Sequence, residues 1–222
     1  MLRRQRQQQQ NKRSPFVLLI FCVCMVSGCA DHRSHSWQRA RVESHTMSFT
    51  TQKDRAPVVV FESGLGDGIS SWDSIYAQVS QFASVFAYNR PGYEDSEDFG
   101  TGKPRTAEDV ARTLKQLLNN TETPGPYILV GHSAGGLYSL KFAELYPNDV
   151  AGIVLVDGRP KNFTKACEKE DLWPCAPPKA FAYLMPSHIK AEILGLELSE
   201  DQAPTPQELG DLPITGITAT KP

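Results

Sequence analysis

The chain has 222 residues, with 23 lysines and arginines against 25 aspartates and glutamates and a formal net charge of −2. That length suffices for one hydrophobic core, and the balanced charge leaves no electrostatic footprint for nucleic acid. Three of the five cysteines lie within the first 29 residues, and no histidine or further cysteine falls at ligand spacing from the other two, so no metal is expected.

Residues 1–28 read as a signal peptide and stand outside the fold. Arg3, Arg4, Arg6, Lys12 and Arg13 form a basic n-region, interrupted by a low-complexity glutamine run at 7–10. The apolar stretch Phe16 to Val26 has signal-peptide length and is short for a membrane span. Val26-Ser27-Gly28-Cys29 resembles the bacterial lipobox. The resemblance implies lipidation of Cys29 and an exported, membrane-anchored protein, on the outer membrane or the periplasmic face because Ala30 rather than Asp follows. The other reading keeps an uncleaved anchor with Cys29 as one more small apolar residue. Residues 29–40 form a polar tether without apolar periodicity.

Core elements are expected over residues 41–157. Alternation over 40–52 suits a leading hairpin or strand. Val58–Phe61 is a β-branched strand that enters the glycine-rich Glu62–Gly68. Trp72, Ile75, Tyr76 and Val79 recur at helical spacing and predict a helix over 71–82. Ser84–Tyr88 is a strand stopped by Pro91-Gly92. Thr106 with Asp109 forms a capping-box signature for a helix whose stripe is Val110, Leu114, Leu117 and Leu118. Tyr127–Val130 is a strand, 135–146 a helix, and Val150–Val156 an almost unbroken apolar run of the kind buried on both faces. Strands alternating with helices give an α/β fold with a mostly parallel sheet, right-handed crossovers and a ligand site at the carboxyl ends of the strands. Glu62 and Arg90 fall near that edge, where a structural ion pair is the default.

The rhythm breaks at 158–210, a proline- and charge-rich insertion with helices expected near 178–194 and 199–210. Cys167 and Cys175 lie in it and form a disulfide in an oxidising compartment, or stay as free buried thiols. Residues 211–222 begin the next core strand, over Leu212–Thr218.

The chemistry concentrates at Gly131-His132-Ser133-Ala134-Gly135-Gly136, which follows a strand directly and precedes a helix. G-x-S-x-G in that context raises a serine hydroxyl above the sheet on a strained turn. Gly131 and Gly135 are needed because bulkier residues would clash across it. The Ala134 N–H is placed to meet an oxyanion, and the 62–68 loop has the glycines to turn its own N–H groups toward a bound oxygen.

The Ser63-Gly64-Leu65-Gly66 loop, the Tyr88-Asn89-Arg90-Pro91-Gly92-Tyr93 turn and the Gly131–Gly136 elbow together resemble the α/β-hydrolase family over about residues 40–220. The resemblance implies a serine hydrolase acting on an ester or similar acyl bond of a small molecule, without a cofactor. It makes Ser133 the nucleophile and the Leu65 and Ala134 N–H groups the oxyanion hole. The family's loop usually starts His-Gly, whereas this one has Ser63-Gly64.

The insertion at 158–210 corresponds to the family's cap. There Trp173, Phe181, Tyr183 and Met185 either line a pocket or form the cap's own core. The family order is Ser, acid, His. Asp157 is a candidate acid or a structural aspartate opening the cap. His188 is the one histidine after Ser133, a base or a solvated or capping residue; His132 is a packed elbow residue, and His32, His35 and His45 precede the core.

By this resemblance the chain reads as the N-terminal two-thirds of a hydrolase, without the last strand, last helix and catalytic histidine. A catalytically incompetent remnant or binding lipoprotein is the second reading. A cofactor-free perhydrolase or haloperoxidase on the same fold is the third. The sequence sets no oligomeric state.

Overall fold

A computed structural model describes residues 36–100, 102–172, 175 and 179–219. The signal peptide, Cys29, His32, His35, Trp173 and residues 220–222 lie outside the described residues.

Seven strands form one sheet in the order β1-β2-β4-β3-β5-β6-β7. Strands β1 (Gln38–Val42) and β2 (His45–Gln52) make the leading antiparallel hairpin, and β2 also runs antiparallel to β4 (Ser84–Tyr88). All other neighbours are parallel: β3 (Val58–Glu62), β5 (Tyr127–His132), β6 (Val150–Val156) and β7 (Ile214–Ile217). Every residue of β3 and β4 is buried, which is why both read as continuous apolar runs rather than alternating ones.

Side chains still alternate between the two faces. Val58 and Val60 pack with Phe86, Leu129 and Ile153 against α2 (Ala107–Asn120) and α3 (Ala134–Leu145). Val59 and Phe61 pack on the opposite face with Ile69, Trp72 and Tyr76. Helix α2 opens on the capping box, with Thr106 accepting from the Asp109 N–H and Asp109 accepting from the Thr106 N–H; such a cap contributes about 1 kcal/mol.

Three elements depart from the sequence expectation. The helix over 71–82 is a 3₁₀ turn at Ile69–Trp72 followed by a short α1, Asp73–Val79. Its buried stripe is Ile69, Trp72 and Tyr76, with Val79 packed partly against the same cluster, whereas Ile75 and Phe82 face solvent. The two expected cap helices divide differently. A 3₁₀ turn at Lys179–Leu184 precedes α5, Ser187–Gln202, and a 3₁₀ turn follows at Pro206–Leu209. Proline sets these borders. Pro186 takes the N-cap position of α5, and Ala203, before Pro204, is extended. Helix α4, Phe163–Lys169, is too short to show a period in the sequence.

Cys167 at the end of α4 is joined to Cys175 by a disulfide, with Cα atoms 6.1 Å apart. Strand β7 pairs with β6 over Ile153↔Ile214 to Val156↔Ile217 and is exposed along most of its length, an edge strand. No helix among the described residues is long and apolar enough to cross a membrane.

The register is what builds a site. Glu62 lies beside Gly131, and Gly131 beside Leu155. The strands β3, β5 and β6 therefore end together, and the 63–68 loop, Ser133 and Asp157 emerge on one edge.

Candidate active site

Ser133 links β5 to α3 at φ 50° and ψ −119°. A non-glycine residue in that region costs about 1–3 kcal/mol and persists only when its surroundings enforce it. Here they do. The Ser133 N–H donates to the Val156 carbonyl at 3.1 Å, and its own carbonyl accepts from the N–H groups of Gly136 and Arg159, both at 3.0 Å. The elbow glycines are dictated by space. A Cβ at Gly131 would lie 2.5 Å from the Gly135 carbonyl oxygen, and one at Gly135 would lie 2.3 Å from that of Glu62.

The loop after β3 is held from beneath. Arg90, 2% exposed, donates from Nη1 to the Ser63 carbonyl and from Nη2 to the Gly64 carbonyl, both at 2.7 Å. The Gly64 carbonyl also accepts from the Asp67 N–H, closing a turn. The Gly66 N–H donates to the Tyr93 hydroxyl at 3.1 Å. Ser63 donates from Oγ to the Gly68 carbonyl and accepts from Trp72 Nε1 at 2.9 Å, so a hydroxyl braces the loop. Among the described residues, the Leu65 N–H has no acceptor. Ala134 is the first residue of α3, and its N–H has no intrahelical acceptor.

Leu65, Ser133 and Ala134 border a cavity of about 340 Å³. Its far wall is the insertion: Phe181, Met185, and Ile189, Ile193 and Leu196 of α5, with Arg159, Lys179, Glu168 and Glu197 among the charged groups around it. Of the aromatic and sulfur residues expected to line a pocket, Phe181 and Met185 do so. Tyr183 does not border the cavity and is 70% exposed. The apolar face of α5 went unread in the sequence, although 189, 193 and 196 stand at helical spacing.

The other residues singled out fall elsewhere. Asp157 stands at φ 43° and is exposed; its N–H donates to the Ile217 carbonyl, and its carboxylate accepts from the Ala219 N–H at 2.8 Å. That engagement fits an aspartate fixing the exit of β7. His188 packs edge-on to Tyr93, 4.7 Å between ring centroids, and burial holds its pKa below the ordinary value despite nearby Asp98. It does not border the Ser133 cavity. His132 is not packed away as expected. Its side chain is 40% exposed, with Nδ1 3.6 Å from Asp67 Oδ2, because Gly64 leaves room for the ring beside the loop. His45 stacks on Phe99.

Glu62 and Arg90 do pair, at 2.9 Å, within a larger buried network. Glu192 of α5 is fully buried and accepts from Arg90 Nε at 2.8 Å, from Arg90 Nη2, from Arg105 and from the Tyr93 hydroxyl. Burial pushes the Glu62 carboxyl up to about 7, against the pull of Arg90 and the Tyr88 hydroxyl. Burial raises Glu192 too, but Arg90, Arg105 and Tyr93 together outweigh it and hold the group below its ordinary value. The two carboxylates share one guanidinium yet shift oppositely, since Glu192 has the second cation. Among the described residues, no group of His, Cys, Asp and Glu is arranged to hold a metal ion.

A family model described as the alpha/beta hydrolase family matches residues 59–213. The esterase Rv0045c of Mycobacterium tuberculosis is 30% identical over 131 residues, 58% of this chain and 42% of that protein. The Bacillus subtilis protein YqjL is 27% identical over 132 residues, 60% of this chain and 46% of that one. The chain thus spans less than half the length of these two curated relatives. Among solved structures, the epoxide hydrolase CorEH superposes with a TM-score of 0.59 at 14% identity, covering 82% of this chain and 81% of that one, a likeness of fold.

Proposed function

The chain belongs to the alpha/beta hydrolase family, and from that premise we propose that it is a serine hydrolase of esters or similar acyl bonds, with Ser133 as nucleophile. The observation that carries the reading is the strained serine on the cavity wall, flanked by Leu65 and Ala134, whose N–H groups have no acceptor among the described residues.

In this reading Ser133 Oγ attacks the carbonyl carbon of a bound ester. The carbonyl oxygen becomes an oxyanion that accepts from the Leu65 and Ala134 N–H groups, which need no reorganisation to receive it. The alcohol leaves, and water then hydrolyses the acyl-serine. The apolar wall of Phe181, Met185, Ile189, Ile193 and Leu196 takes the acyl chain. Each methylene buried there contributes about 0.8 kcal/mol.

Serine needs a base to take its proton. None of the three described histidines, at 45, 132 and 188, borders the cavity, so none of them is assigned as the base. The same observation favours a second reading, ligand binding without turnover. A fluorophosphonate probe separates the two. Labelling of Ser133, abolished in Ser133→Ala, supports the nucleophile; no labelling of folded protein leaves the binding reading. Export with lipidation at Cys29 is proposed from the sequence alone, and incorporation of a labelled fatty acid that is lost in Cys29→Ser tests it.

A further inference from the structure

We propose that Arg90 is a positioning residue that aims the Leu65 N–H at the oxyanion by gripping the carbonyls that precede it. The proposal rests on the reading of Ser133 and Leu65 given above.

The argument starts from the peptide plane. In a trans peptide the C=O of one residue and the N–H of the next point in opposite directions and cannot rotate separately. The cis bonds among the described residues are Ala56-Pro57 and Gly125-Pro126, so the 63–64 and 64–65 links are trans. Arg90 Nη2 holds the Gly64 carbonyl at 2.7 Å from beneath the loop. The Leu65 N–H in the same plane therefore faces away from Arg90. Leu65 borders the cavity that Ser133 and Ala134 share, whereas Arg90 does not border it. Fixing one end of this plane fixes the other.

The guanidinium has no freedom to turn. Its five N–H bonds are all engaged: Nε with Glu192, Nη1 with Glu62 and the Ser63 carbonyl, Nη2 with the Gly64 carbonyl and Glu192. Two carboxylates set its orientation, and two carbonyls receive it. The Tyr93 hydroxyl, itself held by Glu192, takes the neighbouring Gly66 N–H, so that amide does not compete for the oxyanion. A lysine at 90 would keep a positive charge but could offer only three donors from one point, and could not reach both carboxylates and both carbonyls together.

The control is Arg105. Its side chain also bonds Glu192, at 3.1 Å, but the other side-chain hydrogen bond goes to the Pro91 carbonyl, its backbone N–H donates to the Ala191 carbonyl, and among the described residues none goes to the loop. If the cations merely hold α5 in place, R90K and R105K should behave alike.

The test has two arms. In the first, the inactivation rate constant and the binding constant of a fluorophosphonate probe are measured separately for wild type, R90K and R105K. R90K is expected to lower the inactivation rate about 10- to 100-fold with little change in binding constant, since misplacing a catalytic group by about 1 Å costs up to about 100-fold. R105K is expected to stay near wild type. In the second arm, the backbone amide resonance of Leu65 is followed in a Ser133→Ala background, where serine reactivity plays no part. It should move in R90K and hold in R105K. Equal losses in the two variants, or an unmoved Leu65 resonance in folded R90K, overturns the proposal. If wild type is not labelled, the nucleophile reading falls and the Leu65 resonance alone decides this one. If R90K does not fold, Glu62→Gln carries both arms; it weakens the hold on Nη1 without touching the Arg105–Glu192 contact and should displace the same resonance.

Discussion

Replacing Gly135 with alanine sets two effects of opposite sign against each other. Gly135 is the second residue of α3, and alanine in a helix interior is favoured over glycine by up to about 1 kcal/mol. The added Cβ would lie 2.3 Å from the Glu62 carbonyl oxygen, 2.7 Å from that of Ser63 and 2.9 Å from the Glu62 carbonyl carbon. All three are backbone atoms at the end of β3, and none can swing aside as a side-chain tip would. Overpacking typically costs about 1–3 kcal/mol, and rigid neighbours place this site at the upper end. The net expectation is a loss of about 2 kcal/mol. For a domain of this size that lowers Tm by about 4–8 °C. The strand end must shift to relieve the contact, and the Ser63–Leu65 loop moves with it, so Ser133 labelling should fall by up to about 100-fold. Thermal unfolding of the variant beside Gly136→Ala gives the readout. At Gly136 the tightest neighbour of a new Cβ is the tip of Leu155, at 3.2 Å, which can yield. A Gly135→Ala variant as stable as wild type or more so would refute the steric argument, since helix propensity alone predicts that direction.

Glu62 gives a pH signature. Its folded pKa is raised to about 7 from a reference of 4.5, so its contribution to stability is fully present below about 4.5 and is lost as pH rises through about 7. Glu62→Gln lacks this titration. Its stability relative to wild type should therefore improve between pH 4.5 and 7.5, by about 3 kcal/mol at most, in urea titrations at each pH. Ile193→Phe should fill part of the cavity and reduce hydrolysis of long-chain esters more than of acetates, measured as kcat/KM across chain lengths; an unchanged chain-length profile would remove α5 from the acyl site. Cys167→Ser should lower stability by about 2–4 kcal/mol, read by chemical denaturation, with no such loss if the disulfide does not form in the native protein.

What the sequence made legible was local. The strand Val150–Val156 matches residue for residue, and β3 and β5 extend only one or two positions beyond their apolar runs, because the strands of a parallel sheet announce themselves by apolar composition; of the three, β3 alone is buried throughout, whereas β5 alternates and β6 exposes Ala151. The elbow was readable because its constraint lies within five residues: two glycines make room for one strained serine. Distance hid the rest. Glu192 meets Arg90 across 102 positions of sequence, and an isolated glutamate in a helix reads as a solvated charge until the fold buries it. The insertion was misdivided because prolines, rather than apolar periodicity, set its borders at 186 and 203–204. Ser63 was legible only as a departure from the family's usual loop; that its hydroxyl would bridge Gly68 and Trp72 depended on where the indole landed.

Helix α5 carries two kinds of residue on one rod. Glu192 pins it to the core, while Ile189 and Ile193, three positions before and one after, face the cavity. A change of preferred substrate therefore need not touch the rod's anchorage: side-chain size at 189, 193 and 196 can drift while position 192 stays fixed. A library confined to those three codons would explore selectivity on a scaffold whose rotation is already locked, and any winner that also alters residue 192 would reveal a different docking of the helix.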